Sequence, residues 1–152
     1  MSLTIAIPNA ILRAIEAHSR AEQPRECCGV LGGRGARALS SYPLRNQAAQ
    51  PETRFFAAPE DLFAAMLRMR EAREELVAIY HSHPRGPACP SASDIELAFY
   101  SDAIYLIAAL DPQWEIRAFR IQGQTVTEVA IEVIEVREPE PTPLAARASE
   151  RA

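Results

Sequence analysis

The apolar positions of the chain change period several times before Arg137, and each change marks an element. A short apolar start, "LTIAI", is stopped by Pro8 and Asn9, after which Ile11, Leu12 and Ile15 recur at helical spacing to about Ser19. This predicts a first helix. "CCGVLGG" and "ARALSSYPLRN" read as two short strands around a turn at Gly32-Gly33-Arg34-Gly35, where glycine supplies positive φ at little steric cost. After the polar loop "QAAQPETR" and a short "FFAA", Pro59, Glu60 and Asp61 open a second helix, because proline fits a first turn and acids suit the positive end of the helix dipole. Leu62, Ala65, Met66 and Met69 form its apolar stripe, with Arg68, Arg70, Glu71 and Glu74 on the other side.

"LVAIYHSH" is β-branched and aromatic over a strand's length, and its unbroken apolar character before the histidines predicts a central strand covered on both faces. Ser91 to about Tyr100 predicts a third helix, and "AIYLIAAL" at 103–110 another buried strand. Trp114, Ile116 and Ala118 alternate with Glu115 and Arg117 as a half-exposed strand. Gln122-Gly123-Gln124 then turns the chain into "TVTEVAIEVIEV", with Val129, Ile131 and Val133 on one face. Helices interspersed among strands, several of them joined directly by turns, predict an α/β fold: a mixed β-sheet flanked by helices. Residues 1–136 form a single domain on this reading. Residues 137–152, "REPEPTPLAARASERA", have three prolines, mixed charge and no periodicity, and are expected to be a disordered C-terminal tail.

Charge and composition narrow the chemistry. A net charge of −4 offers no basic field for nucleic-acid phosphates or anionic lipid, so neither is an expected partner. All 16 basic residues are arginine, which excludes Schiff-base catalysis and a phosphate-loop lysine. The N-terminal residues lack the basic and long apolar segments of a secretory signal, and the longest apolar run is far shorter than the roughly 18–20 residues that span a bilayer. A cytoplasmic protein is expected. Cys27, Cys28 and Cys89 make neither a disulfide framework nor a C-x-x-C pair, so reduced thiols are expected as well.

The chemistry gathers in "AIYHSHPRGPACPSASDIELA", residues 78–98. Residues i and i+2 of a strand project from the same face, so His81 and His83 present two imidazoles side by side, about 6–7 Å apart at their Cα atoms. Pro84, Pro87 and Pro90 stiffen the connector that follows, and it delivers Asp94 to the start of a helix. Two imidazoles and one carboxylate are a three-ligand set for zinc, with the fourth tetrahedral position left to water. Hydrolysis at such a site also needs a group that takes the water's proton and gives one to the leaving amine. Glu26, in "PRECCGVLGG", is the candidate.

His81-Ser82-His83-Pro84, seven residues from Pro84 to Pro90, then Ser91-Ala92-Ser93-Asp94 resembles the H-x-H-x7-S-x-x-D signature of the JAMM (MPN+) metalloproteases. "ECCGVLGG" is similar to that family's upstream Glu-x-Cys-Gly-x-Leu-x-Gly element, and the likeness runs over residues 3–130. The resemblance implies a curved mixed β-sheet with helices around it, in the layering also found in cytidine deaminases. It implies Zn2+ held by His81, His83 and Asp94, with Glu26 as acid and base and the Ser91 side chain stabilising the oxyanion. The absence of long insertions matches the short prokaryotic members, which act on ubiquitin-like or sulfur-carrier proteins ending in Gly-Gly; a homodimer is compatible with it. The rival readings are a RadC-like protein and a non-catalytic MPN scaffold. The first calls for an added helical DNA-binding part and the second for replaced ligands, and neither is present in the sequence. His-x-Glu with Pro-Cys-x-x-Cys, the nucleoside deaminase pattern, is absent, as is His-Glu-x-x-His.

Overall fold

Strand-forming and helix-forming segments alternate in an order that lets one sheet curl round on itself. The computed structural model describes residues 3–135, so the expected tail at 137–152 lies outside the described residues. The elements run β1 (Thr4–Pro8), α1 (Asn9–Glu22), β2 (Cys28–Arg34), β3 (Arg37–Leu44), α2 (Pro59–Glu71), β4 (Glu75–His83), α3 (Ala92–Glu96), β5 (Ile104–Ala109), β6 (Glu115–Gln122) and β7 (Thr125–Ile134). Their lateral order is β1-β3-β2-β4-β5-β6-β7, and β1 closes the ring by pairing in parallel with β7 from Thr4↔Ala130 to Pro8↔Ile134. The sheet is mixed, as expected: β4 and β5 are parallel, while β4 pairs antiparallel with β2.

The period-2 alternation decides which layer each strand residue joins. On one face Leu31, Ala78, Tyr80, Leu106 and Ala108 pack with Ile11 and Ile15 of α1, two residues one helical turn apart. On the other, Cys28 and Val30 meet Ala65 and Met69 of α2, and Tyr105, Ile107, Phe119 and Ile121 gather near Ile95 of α3. β4 therefore lies between two strands and two layers. Burying Leu31, Leu106 and Ile107 completely contributes about 1.5–3 kcal/mol each, enough to hold the strand's backbone in register.

Two expectations need correction. The third helix spans only Ala92–Glu96. The Ala98 N–H turns to the Ile95 carbonyl at 3.4 Å and the Phe99 N–H to the Leu97 carbonyl at 3.0 Å, so the bonds four residues back that would carry the helix onward are not made, and the Tyr100 N–H goes to the Tyr105 hydroxyl at 3.0 Å. Gly32 and Gly33 lie inside β2, and the turn falls at Gly35, where φ is +58°. Gly33 is required by close approach, since a Cβ there would run into the Arg37 carbonyl. Along the face that Val129 and Val133 share, exposure rises from 3% to 50%, because β7 leaves β6 after Val129 and continues along β1 alone. The opening "LTIAI" is a strand, β1, which the apolar pattern alone did not assign.

Gly29 of β2 faces Tyr80 of β4, and the Tyr80 ring occupies the space that a Cβ on Gly29 would need. Gly29→Ala is expected to destabilise the protein by about 1–3 kcal/mol through overpacking, read as a lower urea midpoint at unchanged slope.

Candidate metal centre

β4 brings the two imidazoles. His81 and His83 sit at its C-terminal end, on the face shared with Ile79, and both are buried. Tyr80 and Ser82 point to the opposite face: the Tyr80 hydroxyl lies 2.8 Å from His18 Nδ1, and Ser82 Oγ accepts the Cys27 N–H at 2.8 Å. With Cys28 beside His81 across β2 and Ile107 beside it across β5, the backbone under the histidines is held on both sides.

Asp94 comes from the first turn of α3, and its place is set by a reciprocal cap. Ser91 Oγ accepts the Asp94 N–H at 3.1 Å, and Asp94 Oδ2 accepts the Ser91 N–H at 2.9 Å. The same Oδ2 faces the histidines. Asp94 Oδ2, His81 Nε2 and His83 Nε2 form a triangle with 3.1 Å on every side.

A carboxylate oxygen only accepts hydrogen bonds. His83 Nδ1 lies 2.9 Å from the Pro87 carbonyl oxygen, so it donates there, and the neutral ring offers a lone pair at Nε2. His81 Nδ1 is buried without a partner, so at most one proton from His81 enters the triangle. One proton cannot satisfy three converging acceptors; a cation can. Three atoms 3.1 Å apart are one face of a tetrahedron whose centre is about 1.9 Å from each corner, close to zinc bonds of about 2.0–2.2 Å to imidazole nitrogen and carboxylate oxygen. The residues fit zinc.

Glu26 stands beside this face, in the short connection between α1 and β2. One of its carboxylate oxygens falls within the same 4.8 Å span as the ring nitrogens of His81 and His83. It is 4% exposed, and Oε1 has no hydrogen-bond partner. Burial pushes its carboxyl up to about 7, the Asp94 charge adding to the effect and His83 opposing it. Burial lowers the basicity of His81. Burial would also lower that of His83, but the bonds to Asp94 and Pro87 outweigh it and the net shift is upward. Asp94 is held far below the usual carboxylate range, its own burial being overcome by its two histidine partners.

All five residues expected at the site are thus neighbours, with Glu26, His83 and Ser91 lining one proline-walled cleft of about 350 Å³ together with Arg85 and the half-buried free thiol of Cys89. A second, more apolar recess reaches His81 and Asp94 from the side of Phe55, Leu97 and Tyr105. Two participants were not found in the sequence. The Phe55 ring stacks on His81 at 4.5 Å between centroids and 22° between planes. Asn46 donates from Nδ2 to the Glu26 carbonyl at 3.0 Å. The paired phenylalanines after a polar loop were the available signal for the first; a single asparagine in a loop carries none.

Residues 8–122 match the family model described as prokaryotic homologs of the JAB domain. The chain belongs to that family. It is thus a prokaryotic JAB-type member of the JAMM/MPN+ group whose signature the sequence carries. Among similar proteins are the CysO-cysteine peptidase of Mycobacterium tuberculosis, 37% identical over 82% of this chain and 88% of that one, and the desampylase of Haloferax volcanii, 30% identical over 88% and 96%. A solution structure of a protein from Desulfitobacterium hafniense superposes with a TM-score of 0.79 at 34% identity, covering 88% of this chain and 95% of that one. Among the described residues of this JAB-domain chain, no helix is long and apolar enough to cross a membrane.

Equilibrium dialysis against zinc is expected to give about one ion per chain, the occupancy of a single three-ligand face. His83→Ala and Asp94→Ala are each expected to abolish it, and Cys89→Ser to leave it unchanged. Loss of zinc in Cys89→Ser would place a thiolate among the ligands.

Proposed function

We propose that this JAB-domain protein is a zinc-dependent hydrolase that cleaves the bond following the C-terminal glycine of a ubiquitin-like or sulfur-carrier protein. Family membership supports the reaction class, and two relatives are named for cleaving such conjugates, one as a CysO-cysteine peptidase and one as a desampylase. The observation that carries the reading is Glu26: a buried carboxyl with an unpartnered oxygen beside the His81–His83 pair, held near neutrality so that it can both accept and return a proton at physiological pH.

Zinc bound by His81, His83 and Asp94 supplies Lewis-acid polarisation of the glycyl carbonyl and acidifies a water. Glu26 takes one proton from that water as its oxygen bonds to the carbonyl carbon. Ser91 Oγ accepts the Asp94 N–H and lies 3.1 Å from Ser93 Oγ; with Ser93 as the donor of that pair, the Ser91 hydroxyl proton is given to the oxygen that gains charge. The carbon–nitrogen bond then breaks as Glu26 returns its proton to the departing nitrogen, and the new carboxylic acid gives the water's second proton to solvent, leaving a glycyl carboxylate and a free amine. Because Glu26 must reach that nitrogen, the leaving group occupies the cleft beside Glu26 and Ser91, and the glycine tail approaches from the Phe55 side.

The test is a panel of ubiquitin-like proteins carrying C-terminal extensions, with hydrolysis followed by mass spectrometry. The parent is expected to release the mature glycine terminus from at least one of them. Glu26→Gln is expected to lower kcat by about 10²–10⁴-fold with zinc retained. Ser91→Ala is expected to cost about 10²–10³-fold, the usual loss for one oxyanion donor. Glu26→Gln turning over as fast as the parent removes that residue from the reaction, and a parent inert towards the whole panel contradicts the hydrolase reading.

A further inference from the structure

The site has one part that neither the zinc face nor the acid–base step explains, which is how Glu26 is held still. It lies after α1 ends at Glu22 and before β2 begins at Cys28, and although the next residue, Cys27, is tied to Ser82 of β4, the N–H and carbonyl of Glu26 itself make no helix or ladder bond. Both of its backbone polar groups go to the loop between β3 and α2: its N–H donates to the Pro51 carbonyl at 2.7 Å, and its carbonyl accepts from Asn46.

Asn46 is only 9% exposed, and its amide is fully used. Nδ2 donates to the carbonyls of Glu26 and Arg54, each at 3.0 Å, with the Pro51 carbonyl sharing at 3.4 Å. Oδ1 accepts the N–H groups of Ala48 and Phe56, each at 3.0 Å. Two of these bonds bracket a single residue. The Arg54 carbonyl precedes Phe55 and the Phe56 N–H follows it, so the amide clamps both peptide groups of the residue whose ring stacks on His81.

We propose that Asn46 is a positioning residue for the hydrolysis, its one side chain fixing Glu26 beside the zinc face and setting the Phe55 ring against His81. The inference rests on the hydrolase reading of the same site. It goes further in assigning the rigidity of the acid–base group to a residue that touches neither substrate nor metal. A reacting group displaced by about 1 Å costs about 100-fold in rate, so the loss should fall on kcat. Asn46→Asp is the informative change: it keeps the shape and the acceptor, but places an oxygen where the two donor hydrogens face carbonyls.

In the folded, zinc-loaded protein, Asn46→Asp is expected to lower kcat by about 100-fold, with KM within about threefold and one zinc per chain retained. Asn46→Ser, which keeps one donor and one acceptor on a shorter stem, is the second variant should the first not fold, and is expected to lose about tenfold. Under single-turnover conditions, Asn46→Asp added to Glu26→Gln is expected to cost less than about twofold further, because the group it positions is already gone. A merely structural Asn46 would instead lower the rate equally in both backgrounds. Either that equal loss, or a kcat within about threefold of the parent in both variants, overturns the inference while leaving the hydrolase reading standing. A parent inert towards every extended ubiquitin-like protein overturns both.

Discussion

Two imidazole nitrogens and a carboxylate oxygen held 3.1 Å apart in a buried place share at most one proton from His81 among them, and the rest of the site is arranged around that fact. Each acceptor left unmatched costs about 1–3 kcal/mol, and an ionised carboxylate costs more, so the chain must either spread the three groups or supply a cation. It does not spread them. β4 is pinned between β2 and β5, the Ser91–Asp94 cap fixes the aspartate, and the Pro87 carbonyl fixes which nitrogen of His83 keeps its proton. A site preorganised around that shortage of protons is one whose affinity for a divalent cation is built in.

Labour is divided between rigid and irregular parts of the fold. The zinc face is built on a central strand and a capped helix start, where backbone bonds and burial leave little freedom. The proposed acid–base group is built on an irregular connection, its own backbone held by a neighbouring loop and the amide of Asn46 and the next residue, Cys27, tied to Ser82 of β4. That placement lets Glu26 sit in low-dielectric surroundings without a fixed counter-charge, which raises its affinity for a proton into the range where transfer in both directions is feasible.

The proposed metal ligands were legible in the sequence because their geometry is local. An i, i+2 pair on a strand and a capping box after a stiff loop lie within one short stretch, and each has its own positional signature. Glu26 was legible as a role only through family likeness, since nothing in "PRECCGVLGG" says that this acid folds back towards β4. Asn46 and Phe55 escaped because their work is done by long-range hydrogen bonds and stacking, which leave no period. The closure of the sheet escaped for the same reason: β1 meets β7 from the far end of the domain, and a five-residue apolar run does not announce its partner. Misreadings came where local pattern competed with tertiary contact. Gly32 and Gly33 looked like a turn and serve close strand packing, and the run after Asp94 looked helical to Tyr100 but leaves the helix at Ala98, whose N–H turns to the Ile95 carbonyl.

The central claim is that His81, His83 and Asp94 share one zinc ion with a corner left open. X-ray absorption at the zinc edge of the purified protein addresses it directly. The account predicts a first shell of nitrogen and oxygen alone at about 2.0 Å, with the multiple-scattering signature of two imidazoles. A sulfur shell at about 2.3 Å, or a hydrated ion without imidazole scattering, would contradict it.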